Sequence, residues 1–182
     1  NVLRTAISAW GALSATDSPT QDQAISLAPS FPAFLAAFQR LRNGKEPLES
    51  RPELGHAANY LYLLTGEEPK EEHVQGLNSY LVLRADHGMN ASTFTGRVIA
   101  STGSDIASSV TGAIGALKGP LHGGAPSKVL DMLHAIAQAE NPEIWLRDAI
   151  THGDRIMGFG HRVYKTTDPR AEELREMARV AD

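Results

Sequence analysis

Helical periodicity along almost the whole length is the feature that most constrains the fold of this 182-residue chain. Apolar residues recur at helical spacing, and glycines, prolines and asparagines divide the pattern into segments. Asn141 followed by Pro142, for example, is typical of an N-cap and a first helical position. Alternation with a period of two is missing almost everywhere, and residues 156–164 are the one segment that fits an extended conformation. The sequence therefore predicts an all-α protein.

The predicted helices are separated by turns and loops, one of which is predicted to be disordered. They cover residues 2–13, 31–42, 54–64, 71–85, 91–101, 105–117, 127–139, 142–152 and 171–182. Ser30 is the predicted N-cap of the second helix. Residues 14–29 are rich in Ser, Thr, Asp and Pro, which predicts a disordered loop. Residues 91–101 and 105–117 are rich in small side chains, which indicates close helix packing, either in a crowded core or at a subunit interface.

Composition excludes several classes of function. A net charge of −4 without a basic stripe argues against nucleic acid binding. No apolar run approaches the roughly 20 residues that a membrane span needs. The chain has no cysteine, so a disulfide, a thiolate metal site and a Cys nucleophile are excluded, which fits a cytoplasmic location. An initiator Met is missing and both ends have helical patterns, so we expect a piece of a longer protein.

Three of the seven histidines lie in turns that contain Gly or Asn, namely His87, His122 and His161. Glycine permits close backbone approach of a ligand, and histidine can donate or accept a proton near neutral pH. These three are therefore the candidate functional histidines. The other four have simpler explanations. His152 suits a helix C-terminus, and packed or solvated positions are expected for His56, His73 and His134.

Alternative chemistries find weaker support. A metal site built from the three histidines and Asp86 lacks the helical spacing of ligand pairs. The glycines at 158 and 160 do not extend to a dinucleotide fingerprint, and no Gly-x-Ser-x-Gly is present. Arg162, Lys165 and Arg170 cluster beside the third histidine. They indicate either an anionic small-molecule substrate or a solvated charged loop.

Three segments carry a resemblance to a known family. They are ADHGMNASTF at 85–94, LKGPLHGGA at 117–125 and GFGHRVYKTTDPR at 158–170. In this order and at about this spacing they resemble the signature segments of the citrate synthase family, and the similarity extends over the whole chain.

The resemblance implies a multi-helical, two-domain acyltransferase that converts the acyl group into an alkyl group on transfer. Such an enzyme condenses acetyl-CoA with oxaloacetate to citrate and CoA, the first step of the tricarboxylic acid cycle. It would need no cofactor and no metal, acetyl-CoA being a substrate. Residues 1–124 would form part of the large domain, and residues 125–182 the start of the small domain. A homodimer through helices 91–101 and 105–117 is also expected.

The resemblance also assigns roles to particular residues. His122 would donate a hydrogen bond to the acetyl carbonyl oxygen, and His161 would protonate the oxaloacetate keto oxygen; these are the two expected catalytic residues. Oxaloacetate would bind to His87 and Asn90, with Arg170 paired to one of its carboxylates. The CoA-binding residues would be Met157, Gly158, Phe159 and Gly160, with Lys165 near the phosphates.

The family's catalytic base is an aspartate in a later motif, which would fall beyond Asp182. Asp168 precedes Arg170 in the signature and is not that base. We therefore expect the 182 residues by themselves to be inactive. Two alternatives stay open: a 2-methylcitrate synthase that uses propionyl-CoA, and a truncated non-catalytic homologue that binds a carboxylate or CoA.

Overall fold

A computed structural model describes residues 1–14, 19–124, 127–160 and 164–180. Over these residues the chain forms ten α-helices and no β-strand, so the all-α prediction is confirmed. The helices are α1 (Val2–Leu13), α2 (Gln21–Leu27), α3 (Ser30–Arg42), α4 (His56–Thr65), α5 (Glu71–Arg84), α6 (Ala91–Ala100), α7 (Ile106–Leu117), α8 (Ser127–Gln138), α9 (Pro142–Thr151) and α10 (Pro169–Val180).

The chain divides into two compact units. The first comprises Asn1–Ile114 and Asp168–Asp182, and the second is Gly115–Thr167. The chain thus leaves the first unit near the end of α7 and returns to it at the start of α10. The assignment of residues 1–124 and 125–182 to a large and a small domain stays a prediction.

The core of the first unit lies where α1, α2 and α7 meet. Ile7, Leu27 and Ala107 are almost fully buried there. Trp10 and Phe34 are among the partly buried apolar side chains that pack against them. From this core α3 packs on α4 and α4 on α5, so the helices form a continuous series.

The helix pair α5 and α10 ends that series and positions two of the predicted site residues. The Ser79 hydroxyl, near the middle of α5, lies 3.5 Å from the sulfur of Met177 in the second half of α10. Towards the end of α5 the partner residues are earlier in α10, since His87 meets Arg170. The two helices therefore run antiparallel, and the C-terminal end of α5 lies beside the N-terminal end of α10.

In the second unit α8 packs on α9, and α9 begins as the sequence predicts. The side-chain oxygen of Asn141 accepts hydrogen bonds from the backbone N–H groups of Glu143 (3.0 Å) and Ile144 (3.2 Å). Pro142 occupies the first turn, where its missing N–H costs nothing. The predicted N-cap and helix start are confirmed.

Three local predictions are wrong. Within the predicted loop 14–29, residues Gln21–Leu27 form α2, because Thr20 and Gln23 make a reciprocal capping box. Ser30 is the first residue of α3 and not its N-cap; its hydroxyl donates to the Ser26 carbonyl at 3.3 Å. The described residues of segment 156–164 contain a turn at 157–158 and no strand, and Gly158 and Gly160 have positive φ angles of 87° and 83°.

Candidate active site

His87 and Arg170 lie in contact although 83 positions separate them in the sequence. His87 is half-buried in the turn after α5, and Arg170 is the second residue of α10. The Arg170 Nη1 atom lies 3.2 Å from the His87 Nδ1 atom. The antiparallel packing of α5 and α10 therefore brings a histidine and an arginine together at one end of a helix pair.

Asp168 holds the guanidinium of Arg170 by two of its nitrogens. The Asp168 Oδ2 atom accepts from Arg170 Nη2 at 2.6 Å, and Oδ1 accepts from Nε at 3.0 Å. Asp168 Oδ1 also accepts from the Arg170 backbone N–H at 3.0 Å, as an N-cap side chain does. The Arg170 side chain retains 13% of its exposure and that of Asp168 26%, so this bidentate ion pair is largely shielded from water.

Asn90 lies three residues after His87 and begins α6. Its side-chain oxygen accepts from the backbone N–H groups of Ser92 (3.1 Å) and Thr93 (3.0 Å) and from the Ser92 hydroxyl (2.6 Å). The turn between α5 and α6 is tight, because Asp86 Oδ1 accepts from the Gly88 N–H at 2.8 Å. This turn and the cap fix the backbone on both sides of His87.

His122 is half-buried in a compact turn at the end of α7, and its own backbone N–H donates to the Gly119 carbonyl at 2.9 Å. The two residues that follow have to be glycine for a steric reason. A Cβ at Gly123 would lie 2.6 Å from the Leu117 carbonyl oxygen, and one at Gly124 would lie 2.8 Å from that of Lys118. The glycines therefore let the turn fold back on its own backbone immediately after His122.

The predicted CoA turn borders a cavity of about 490 Å³ in the second unit. Met157 is half-buried and lines the cavity, whereas Phe159 is 74% exposed and Lys165 is exposed. The walls come from three places: the His122 turn, the facing sides of α8 and α9, and the segment before Gly158. The lining residues are Pro120, Leu121, Lys128, Met132, Trp145, Ala149, Asp154, Arg155, Ile156 and Met157. Sequence reasoning missed the two cations of this cavity, Lys128 and Arg155, because neither lies in a recognisable segment.

The predicted site residues fall into two groups by unit. His87, Asn90 and Arg170 belong to the first unit, and His122, Met157–Gly160 and Lys165 belong to the second. His161 and Arg162 lie outside the described residues. Over the part of the chain that is described, no three acidic, histidine or cysteine groups are arranged to hold a metal ion.

The remaining histidines have ordinary environments. His152 follows the last residue of α9, and its Nδ1 atom lies 2.7 Å from the Asp148 carbonyl oxygen, so the predicted capping position is confirmed. His56, His73 and His134 are exposed.

Comparison with known proteins places the chain in a family. The model of the citrate synthase C-terminal domain matches residues 1–182. Citrate synthase 2 of Bacillus subtilis is 51% identical to this chain over an alignment of 182 positions, which covers 97% of this chain and 49% of that protein. The chain belongs to the citrate synthase family.

Solved structures of citrate synthases share the fold. The ternary complex of carboxymethyl coenzyme A and oxaloacetate with citrate synthase from Thermoplasma acidophilum matches with a TM-score of 0.81 and 34% identity. That match covers 94% of this chain and 46% of the other. A 2-methylcitrate synthase of Mycobacterium tuberculosis is also similar, being 41% identical over 96% of this chain and 45% of its own length. The chain spans about half the length of the curated relatives that it matches.

These comparisons fix the family and its all-helical fold, and the family is one of transferase-type enzymes. None of the helices in the described ranges has the length and apolar character that crossing a membrane requires.

Proposed function

We propose that this chain forms part of a citrate synthase that condenses acetyl-CoA with oxaloacetate to citrate and CoA, without a cofactor. The contact between His87 and Arg170 is the observation that carries the proposal. It joins residues of two signature segments, and it combines a cation that recognises carboxylates with an imidazole that forms a directed hydrogen bond. Oxaloacetate, a dicarboxylate with a keto group, suits that combination.

His122 would act on the other substrate. An α-proton of a thioester is weakly acidic, so its removal requires stabilisation of the negative charge that develops on the carbonyl oxygen. A histidine held in the rigid turn at Gly123 and Gly124 can donate a hydrogen bond to that oxygen without reorganisation. His161 is proposed to protonate the keto oxygen of oxaloacetate, on the strength of the family signature alone.

CoA would lie along Met157–Gly160, with Lys165 near its phosphates. The cavity beside this turn supports the proposal, because it combines apolar walls with Lys128 and Arg155, two cations suited to an anionic ligand. We add these two residues to the proposed CoA contacts.

Calorimetric titration of the 182-residue chain with oxaloacetate tests the binding half of the proposal. Wild type should bind, and Arg170→Gln should reduce the affinity about tenfold or more, since a hydrogen-bonded charge is lost. Arg147→Gln is the matched control, because Arg147 forms an exposed ion pair with Glu143 on α9. Wild-type protein that fails to bind oxaloacetate would refute the assignment of this site.

Turnover is to be measured as CoA release, both with these 182 residues and with a protein extended through the family's later aspartate motif. We expect release from the extended protein alone, because the proposed base lies in that motif. An extended protein that binds oxaloacetate and releases no CoA would support the non-catalytic alternative.

The similarity to a 2-methylcitrate synthase favours one second candidate, the use of propionyl-CoA in place of acetyl-CoA. The two reactions differ by one methylene in the acyl group, which a pocket distinguishes by about 10- to 200-fold. Comparison of kcat/KM for the two thioesters on the extended protein decides between them. A preference for propionyl-CoA would overturn the proposed substrate.

A homodimer through residues 91–101 and 105–117 is part of the proposal, as is a cytoplasmic location. Exposed apolar side chains on α6 support the dimer, since Phe94 is 59% and Val98 48% exposed. Sedimentation of the extended protein as a monomer would contradict the dimer.

A further inference from the structure

A continuous chain of contacts runs from Asp168 through Arg170 to His87. We propose that Asp168 is a positioning residue which, acting through Arg170, fixes His87 as the neutral tautomer with its proton on Nε2. This inference rests on the proposed function in one respect, that the ligand served by His87 is oxaloacetate. The tautomer itself is a property of the ligand-free protein.

The first contact fixes the orientation of the guanidinium. Asp168 binds Arg170 at Nε and at Nη2, so the planar group cannot rotate about the Cδ–Nε bond without breaking at least one charged hydrogen bond. Asp168 is itself held, because its Oδ1 atom also accepts from the Arg170 backbone N–H. Nη1 is thereby directed towards His87, 3.2 Å from Nδ1.

The second contact fixes the imidazole. A guanidinium has hydrogen-bond donors and no acceptor, so Nδ1 of His87 has to be the acceptor in this pair. An Nδ1 that accepts carries no proton, which places the proton of the neutral ring on Nε2. A ring that carries a proton on Nδ1 cannot make this contact, because its N–H would face an N–H of Arg170, donor against donor.

The tautomer of His87 determines whether its Nε2 atom donates or accepts a hydrogen bond when a ligand binds. With Nδ1 engaged, His87 offers Nε2–H as a donor, the form that suits a keto or carboxylate oxygen of oxaloacetate. The opposite tautomer would present a lone pair to the same oxygen and would repel it. Asp168 thus influences oxaloacetate binding through Arg170 and His87 and does not itself contact oxaloacetate.

Asp168→Asn separates this role from simple helix capping. Asn and Asp are equally good N-caps, so the bond to the Arg170 backbone N–H is retained. The amide replaces one carboxylate oxygen by an N–H2 group that faces Nη2 of Arg170, donor against donor. The ion pair is therefore lost while the start of α10 is kept.

Asp105→Asn is the matched control, since it makes the same chemical change immediately before α7. Asp105 Oδ1 accepts from the Ser108 backbone N–H at 2.8 Å, and Oδ2 accepts from the Ser108 hydroxyl at 2.6 Å. Asp105 has no place in the proposed binding machinery. Its substitution should leave His87 unchanged.

The experiment is ¹⁵N NMR of histidine-labelled protein at neutral pH, with the His87 signals assigned by their loss in His87→Gln. In wild type and in Asp105→Asn we expect a pyridine-like Nδ1 and a pyrrole-like Nε2. In Asp168→Asn this pattern should give way to a mixture of tautomers. A pyrrole-like Nδ1 in wild type, or an unchanged pattern in Asp168→Asn, would overturn the inference.

Oxaloacetate titration of the same three proteins supplies the functional readout. Asp168→Asn should bind about tenfold more weakly or worse, whereas Asp105→Asn should match wild type. Equal affinity in all three would also overturn the inference. The proposed function fails separately, if wild type shows the expected tautomer and no oxaloacetate binding.

Discussion

Substitutions at Asn90 should distinguish two functions of its side chain, the capping of α6 and the proposed binding of oxaloacetate. Its side-chain oxygen is committed to α6, where it accepts from two backbone N–H groups and from the Ser92 hydroxyl. Any contact with oxaloacetate therefore has to come from the amide nitrogen. Asn90→Ala removes both functions, whereas Asn90→Asp keeps the oxygen that caps the helix and replaces the N–H2 donor by an anion.

The expected magnitudes follow from this geometry. Loss of the cap in Asn90→Ala should lower the free energy of unfolding by about 1 kcal/mol, in a range of about 0.5–2 kcal/mol. For a chain of this size that corresponds to a fall in Tm of roughly 2–4 °C. Asn90→Asp should remain close to wild type in stability. Its affinity for the dianionic ligand should fall about tenfold or more, since a donor is lost and a negative charge is added.

Urea denaturation followed by circular dichroism measures the first effect, and calorimetric titration with oxaloacetate measures the second. Asn141 is the matched control, because it caps α9 through the same two kinds of backbone hydrogen bond. Asn141→Ala should lose stability by a similar amount, and Asn141→Asp should change neither property. If Asn90→Asp binds oxaloacetate as well as wild type does, the amide is not a ligand. If Asn90→Ala is as stable as wild type, the capping argument is refuted.

Two glycines in helix interiors should respond in opposite directions to alanine, and urea denaturation measures both. Gly11→Ala should lower the free energy of unfolding by about 1–3 kcal/mol, since the new Cβ would collide with that of Ala107. The Cβ of Gly76→Ala on α5 meets no atom within 4 Å, so this substitution should raise the free energy of unfolding by about 0.4–1 kcal/mol. If both substitutions change the free energy of unfolding in the same direction, the packing described for the two glycines is contradicted. Hydrogen bonds from Ser108 hold the pKa of Asp105 below its usual value of 3.8. Because the lowered pKa belongs to the folded state, this carboxylate stabilises the fold above about pH 4 and loses that contribution as the pH falls further. Wild type should therefore lose more stability on acidification than Asp105→Asn does. Parallel acid denaturation curves of the two proteins would contradict the lowered pKa of Asp105.

Local chemistry explains the starts of both α9 and α2, although only the start of α9 is predicted from the sequence. The pair Asn141 and Pro142 predicts the start of α9 because both act on neighbouring backbone groups. The start of α2 depends on the same kind of chemistry, a capping box between Thr20 and Gln23. The Ser, Thr, Asp and Pro content of the whole segment is typical of a loop, so composition predicts disorder where this four-residue signature specifies a helix start.

The candidate site likewise combines residues that the sequence singles out with a contact that depends on tertiary packing. Turns that contain Gly or Asn single out His87 and His122 from the sequence, and the close approach of a ligand expected at such glycines stays a prediction. In the structure the atoms that approach Gly123 and Gly124 include backbone oxygens of the turn itself. The contact of His87 with Arg170 and the role of Asp168 depend on the packing of α5 against α10. No local pattern encodes a pairing across 83 positions.

The discontinuity of the first unit has a consequence for the order of folding. Synthesis delivers α5 early, but α10 emerges after all of the second unit. The contact of His87 with Arg170 therefore closes a segment of 83 positions, at an entropic cost of about 4 kcal/mol for a flexible segment. That cost falls once the second unit has folded and shortened the flexible path. The contact of His87 with Arg170 is thus expected among the last to form, which would make binding of the proposed ligand a reporter of completed folding.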